Sequence, residues 1–284
     1  MATLLDIRRR IRSVKSTQQI TRAMKMVAAA RLRRAQDSIF SARPYANQML
    51  TLLASVAART EQRDHPLLAE RPVEKLLLVL ITADRGLCGA FNTNLIRAAQ
   101  GYLEEHSDKQ VSIVAVGRKG RDAFRRQPVT IVSEHVNLFG RLQFSQAQPI
   151  AKQIIELYAR KEVDAVDLLY NEFKSVMTQR VMVERYLPIA PVQPVEGEAQ
   201  IDYIYEQPAA EIMEALLPRY VEIEVYRALL ESQAAELAAK MTAMDAATNN
   251  ASDLIDSLTL HLNRVRQAAI TREIIEVVGG AAAT

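Results

Sequence analysis

The chain has no tryptophan, one cysteine, and aromatic residues at only 5% of its 284 positions. A lone Cys88 excludes an internal disulfide framework and a zinc site built on several thiolates. So few rings, beside abundant Ala, Leu, Arg and Glu, favour long helices over an aromatic-rich sandwich. No apolar run approaches the ~18 residues that span a bilayer, and the longest, residues 76–81, is strand-sized. The N-terminus carries charge without the apolar stretch of a secretory signal, so a soluble protein of a reducing compartment is expected.

Glycine and proline are scarce at both ends. The first proline is Pro44, the first glycine is Gly86, and neither residue type occurs between Pro218 and Gly279. Six of the nine glycines fall between Gly86 and Gly140. Two breaker-poor arms therefore flank a central region rich in turns.

The C-terminal arm carries the clearest pattern. Leu230, Ala234, Leu237, Met241, Met244, Thr248, Ala251, Ile255, Leu258, Leu262, Val265 and Ala269 follow one another in alternating steps of four and three, a heptad seam. Gly279 and Gly280 supply the expected stop. The N-terminal arm repeats the pattern in Ile7, Ile11 and Val14. Gln18 and Thr21 interrupt it, and Met24, Ala28, Ala35, Ile39 and Ala42 resume it. Pro44 and Pro218 are expected to bend or restart these helices. A helix from about residue 209 to 278 would be roughly 100 Å long, whereas a compact globule of this chain length has a radius of gyration of about 19 Å. Such a helix must project, and its seam needs cover. The reading is an antiparallel intramolecular coiled coil.

Charge is uneven. Residues 1–43 hold eleven Lys or Arg against Asp6 and Asp37, a net of +9, which leaves −6 for the remainder of a chain whose total is +3. Such asymmetry points to an acidic partner, with a merely solvated helix face as the plainer reading.

The middle alternates strand and helix signals. Residues 75–82 (KLLLVLIT) and 111–117 (VSIVAVG) are near-continuous apolar runs, as buried parallel strands require. Helices are expected over 92–105, 123–127 and 145–161, and strands over 129–135, 165–173 and 180–187. The fold class is α/β: a long antiparallel coiled coil of N- and C-terminal helices plus a Rossmann-like domain with a mostly parallel sheet. The expected divisions are residues 1–60 for the N-terminal helix, 75–190 for the α/β domain, 191–208 for a connection and 209–284 for the C-terminal helix.

Candidate chemistry is thin. The turn TADRGLCGAFN at 82–92 follows the first strand, where nucleotide-binding α/β domains hold phosphate, but it completes neither G-x-G-x-x-G nor G-x-x-x-x-G-K-[ST]. Gly117 and Gly120 in GRKG are equally incomplete. Cys88, beside Arg85, lacks a neighbouring histidine to act as base. His65, His106, His135 and His261 have no metal-ligand spacing. The acid pairs Glu104/Glu105 and Glu222/Glu224 are assigned to solvent faces, so no acid–base constellation emerges. Near the far tip, Arg264, Arg266, Gln267, Thr271 and Glu273 add polar groups to a tip read as having only polar surface left for recognising a partner.

Three segments carry a family resemblance: ITRAMKMVAAA at 20–30, DRGLCG at 84–89, and LTLHLNRVRQAAITREI at 258–274 followed by GGA at 279–281. In order and spacing the chain resembles the gamma subunits of bacterial F-type ATP synthases over nearly its whole length. The resemblance implies a shaft inside a ring of three alpha and three beta subunits, with an α/β foot meeting epsilon and the membrane ring of c subunits. Proton-driven rotation of that ring would drive the beta subunits through their catalytic states. It further implies no catalytic residue, no cofactor, and a peripheral position on the cytoplasmic face of the bacterial plasma membrane. By motif position Arg266, Gln267, Thr271 and Glu273 would touch beta loops, and Met24, Arg8, Arg9, Arg12 and Lys25 would face an acidic lever of beta. Asp84, Arg85, Gly86, Cys88 and Gly89 would form a loop near the shaft–foot junction. Leu262 departs from the family's usual tyrosine at a seam position, and no cysteine pair of the chloroplast type is present. The alternative is a nucleotide-binding α/β enzyme with a coiled-coil dimerisation arm; a basic nucleic-acid-binding arm would fit the arginines but lacks interleaved aromatics.

Overall fold

The computed structural model of the chain describes residues 3–57, 65–140, 142–190 and 208–282. Apart from Pro208, the expected connection over 191–208 lies outside them. In chain order come α1 (Leu4–Ala57), β1 (Lys75–Ile81), α2 (Phe91–Glu105), β2 (Gln110–Val116), α3 (Arg118–Phe124), β3 (Thr130–His135), a 3-10 turn (Leu138–Gly140), α4 (Phe144–Ala159), β4 (Ala165–Phe173), β5 (Gln179–Leu187) and α5 (Ala209–Ala282). Two compact units result, residues 30–239 and the pair of terminal segments 1–29 and 240–284.

In the unit of residues 30–239 the strand order is β3-β2-β1-β4-β5. Pairing is parallel except between β4 and β5. β1 is buried along nearly its whole length because both faces of the sheet are covered. On one face Leu77, Val79 and Ile81 pack with Ile150 and Ile154 of α4, Leu53 of α1, and Leu217 and Val221 of α5. On the other, Leu76, Leu78 and Leu80 meet Leu95 and Ala99 of α2, Leu32 and Ile39 of α1, and Leu230 and Ala234 of α5. Helix α5 thus passes from one apolar cluster to the other between Leu229 and Leu230.

Three details differ from the sequence reading. α3 begins at Arg118, directly after Gly117, rather than at residue 123. The two glycines of GRKG are there because side chains do not fit: a Cβ on Gly117, whose φ is +90°, would lie 2.0 Å from the Thr82 carbonyl oxygen. One on Gly120 would lie 2.9 Å from Thr82 Oγ1. The helix α5 runs through Gly279 and Gly280 to Ala282; two glycines cost about 1 kcal/mol each against alanine, which weakens a last turn without forbidding it. Glu224 is buried rather than solvent-facing, with Arg227 Nη2 donating to its Oε2 at 2.6 Å. Pro44 lies inside α1 and Pro218 inside α5, and neither ends its helix.

Candidate functional site

The terminal unit is built from α1 and α5 side by side. Along α5 the shielded positions beyond residue 248 are Ala251, Ile255, Leu258, Leu262, Val265 and Ala269, the expected seam, with exposed residues between them. Along α1 they are Leu4, Ile7, Ile11, Val14, Gln18, Thr21, Met24, Lys25, Ala28 and Ala29, so the polar interval belongs to the seam. Its groups meet partners across the pair. Gln18 Nε2 donates to Ser252 Oγ at 3.1 Å, the Thr21 and Thr248 hydroxyls lie 2.8 Å apart, and Lys25 Nζ donates to Asp245 Oδ1 at 2.5 Å. As the α1 number rises through these contacts the α5 number falls, so the helices run antiparallel. Thr3 and Asp6 start α1 as a reciprocal cap, with Thr3 N donating to Asp6 Oδ2 at 3.1 Å and Asp6 N to Thr3 Oγ1 at 3.3 Å. Thr3 Oγ1 also donates to Asp6 Oδ2 at 2.7 Å, and this bond first, then the one from Thr3 N, holds the Asp6 carboxyl below its ordinary pKa.

The outward faces carry the expected partner residues. Arg8, Arg9 and Arg12 are exposed on α1, Met24 is half-buried, and Lys25 is engaged by Asp245. Arg266, Gln267, Thr271 and Glu273 are exposed on α5. The tip is not polar, contrary to the sequence reading. Ile270, Ile274, Ile275, Val277 and Val278 are 48–72% exposed, a run of aliphatic surface interleaved with the polar residues. Residues 274–278 (IIEVV) contain this signal in plain sight, but the seam argument discounts it. Contiguous exposed apolar surface of this kind marks an interaction site.

The loop 84–89 belongs to the sheet unit, and its residues do different jobs. Asp84 Oδ1 accepts the backbone N–H of Arg118 at 3.2 Å and of Asn137 at 2.8 Å. Lys119 N donates to the Ala83 carbonyl at 3.1 Å, and Gly120 N donates to Thr82 Oγ1 at 2.8 Å. The N–H groups that open α3 are thereby satisfied by the chain's own residues 82–84. Arg85 and Leu87 are exposed; Leu87 and Gly89 both take positive φ, 65° and 55°. Gly86 is half-buried. Cys88 is buried in the cluster that contains Leu32, Ile39, Leu230 and Ala234. Asn92 clamps this turn, accepting from Ala83 N at 3.0 Å and donating to Cys88 Sγ at 3.1 Å. A cysteine so enclosed is packing rather than an open nucleophile.

Deeper in the same unit, Asp167 of β4 is buried and accepts hydrogen bonds from Tyr102 OH and Arg185 Nε. Burial first, and then this carboxylate, push the Tyr102 phenol far above its ordinary pKa. Sequence reasoning misses the trio because its members are 65 and 18 residues from Asp167. Among the described residues no group of His, Cys, Asp and Glu is arranged to hold a metal ion, and no helix is long and apolar enough to cross a membrane.

Comparisons with known proteins agree with this geometry. A family model described as ATP synthase matches residues 3–284. The chain is 53% identical to the ATP synthase gamma chain of Solibacter usitatus, covering 100% of this chain and 99% of that one. It is 52% identical to the gamma chain of Desulfitobacterium hafniense, with the same coverage of both. Among solved structures it is similar to a chain of the Tetrahymena thermophila mitochondrial ATP synthase central stalk and c-ring, at a TM-score of 0.63 and 28% identity over 80% of this chain and 99% of that one. A chain of the Euglena gracilis mitochondrial ATP synthase shares the fold, at a TM-score of 0.69 and 22% identity over 99% of this chain and 94% of that one. With half of its residues shared along its full length, this chain belongs to the ATP synthase gamma-chain family.

Proposed function

We propose that the chain is the rotating shaft of an F-type ATP synthase, turned by a proton-driven c-ring and itself driving the catalytic beta subunits through their states. The observation that carries the reading is the α5 tip, where five exposed aliphatic side chains alternate with Arg266, Gln267, Thr271 and Glu273. Such a surface marks an interaction site, and in this reading a ring of alpha and beta subunits covers it. An apolar sleeve also lets a helix turn, because the hydrophobic effect is non-directional, whereas fixed hydrogen bonds would lock it. Arg266, Gln267, Thr271 and Glu273 are the beta-loop contacts in this reading.

The cationic face of α1, with Arg8, Arg9 and Arg12 free of ion pairs among those described, suits an acidic surface of beta and gives the +9 segment its use. Met24 and Lys25, further along α1, face the same surface of beta in this reading. An acidic lever of beta reaching Lys25 has to compete with Asp245 for it. The sheet unit meets epsilon and the c-ring in this reading. The chain carries no catalytic group of its own in this reading; the turns at 82–92 and 117–120, which complete neither phosphate-binding signature, favour it over a nucleotide-binding enzyme with a dimerisation arm. Its place is at the cytoplasmic face of the bacterial plasma membrane, held there by its partners.

Complementation tests the reading. A complex lacking its gamma chain, supplied with this chain, should regain proton-driven ATP synthesis. Arg266→Ala should lower synthesis several-fold while leaving the circular dichroism of the chain unchanged. Failure of the wild-type chain to restore synthesis, with alpha and beta of the same organism, would sink the rotor reading. Indifference to Arg266→Ala would remove that contact alone. Equilibrium dialysis of the isolated chain with ATP should show no binding.

A further inference from the structure

A shaft transmits torque only if something stops its helix from turning against the domain that drives it. Apolar packing resists separation but is weakly directional. The sheet unit contains a directional fastening at the place where α5 passes between its two apolar clusters.

Pairing of β4 with β1 ends at Leu80↔Leu169, while pairing of β4 with β5 continues to Phe173↔Gln179. Past Leu169, β4 has lost its neighbour on one edge. Asn171 and Phe173 are two residues apart, so their N–H groups point to the same edge. Both are taken by α5. Asn171 N donates to Ser232 Oγ at 3.2 Å, and Phe173 N donates to Glu231 Oε2 at 3.0 Å. All four residues are buried, with Ser232 at 0% and Glu231 at 4% exposure. Two consecutive helix residues therefore stand in for the missing strand.

The geometry resists rotation for a simple reason. Neighbouring residues on a helix are about 100° apart around its axis, while the two N–H groups are roughly 7 Å apart along a strand. A helix held at both points cannot turn about its axis without stretching one bond or the other. Neither donor can turn to water instead, because both are buried, so a broken bond leaves an unsatisfied group. From this point α5 continues as one helix to Ala282.

We infer that Glu231 and Ser232 are the positioning residues that lock α5 to the sheet and pass torque between the two. The inference rests on the rotor reading above. It assigns to two side chains with no partner-facing surface a role in coupling.

The test uses the complete ATP synthase in inverted membrane vesicles. The variants are Ser232→Ala, Glu231→Gln, and Ser232→Ala combined with Glu231→Leu. ATP hydrolysis and ATP-driven proton pumping are measured on the same vesicles, with hydrogen exchange at the Asn171 and Phe173 amides. The double variant should keep hydrolysis within about twofold of wild type and lose at least fivefold in protons pumped per ATP. Ser232→Ala should show a smaller loss, and Glu231→Gln, which retains an acceptor oxygen, should stay near wild type. If exchange at both amides accelerates while pumping per ATP stays at the wild-type ratio, the bonds are mere packing and the proposal is wrong. Should the double variant fail to assemble, Ser232→Ala decides alone, since it deletes one oxygen from a site that accepts alanine. A wild-type chain that supports neither activity overturns the rotor reading instead, whatever the variants do.

Discussion

The hydroxyl oxygens of Thr21 and Thr248 meet at 2.8 Å in the helix pair, between the Gln18–Ser252 and Lys25–Asp245 contacts. Each hydroxyl also lies near a carbonyl of its own helix, Gln18 O at 3.0 Å and Met244 O at 2.7 Å. Neither is therefore stranded if its partner goes. Thr21→Val or Thr248→Val alone should cost about 1 kcal/mol or less, and the double variant should be no less stable than wild type, since removing both polar partners together is close to neutral. Thermal melts followed by circular dichroism give the coupling energy from the cycle. A double variant that melts well below either single one would mean the pair supplies stability rather than register. Buried polar pairs of this kind specify alignment best.

How much of this was legible beforehand depends on the range of the interaction. The seam from Leu230 to Ala269 and β4 at Ala165–Phe173 depend on local periodicity and are readable residue by residue. The start of α3 was not, because the glycines at 117 and 120 look like turn residues until Thr82, 35 and 38 residues earlier, is seen to fill the space their side chains would need. The same holds for Glu231 and Ser232. On a helix wheel both are polar residues beside a seam, and only the tertiary fold reveals unpaired strand N–H groups 61 and 58 positions away. The polar interval at Gln18 and Thr21 reads as a break in the N-terminal pattern, yet it is matched by Thr248 and Ser252 at the opposing positions of α5.

Gly117 and Gly101 offer a matched pair of substitutions. A Cβ at Gly117 meets the Thr82 backbone at 2.0 Å with φ at +90°, whereas one at Gly101, inside α2, meets nothing within 4 Å. Gly117→Ala should destabilise by at least about 3 kcal/mol, through clash and backbone strain together. Gly101→Ala should stabilise by roughly 0.5–1 kcal/mol. Urea unfolding of the two proteins side by side checks the sign of each. Equal effects would refute the account of the GRKG turn.

His65 makes stability pH-dependent. Partial burial of the ring lowers its pKa below the ordinary value, with Glu214 pulling weakly the other way. In the folded chain Leu67 N donates to its Nδ1 at 3.2 Å, which requires that nitrogen to be unprotonated. The folded state therefore binds fewer protons here than the unfolded state does. The contribution is fully present above the unfolded value of about 6.5 and is lost as pH falls toward and through the lower folded value. The melting-temperature advantage of wild type over His65→Gln should shrink between pH 7.5 and 5.5. An advantage that stays constant across that range would show that the ring is not titrating against the fold.

Asp84 is the residue of the DRGLCG motif with the most direct structural task. Its carboxylate oxygen gathers the N–H of Arg118, at the start of α3, and that of Asn137, just past β3 and itself in a left-handed conformation at φ 63°. One side chain from the end of β1 thus ties down the segments that leave β2 and β3. Negative charge at the opening of a helix is also favoured by its dipole. Asp84→Ala should cost about 1–2 kcal/mol, the range for loss of a helix-capping acceptor. Asp84→Asn, which keeps an acceptor oxygen in place, should cost less than half as much. Chemical denaturation ranks the three proteins, and amide exchange at Arg118 and Asn137 should quicken in the alanine variant more than in the asparagine one. Equal losses in both variants would mean that charge outweighs the hydrogen bonds. No loss in either would show that the motif's aspartate is spared for contact with another subunit, not for holding this corner of the sheet.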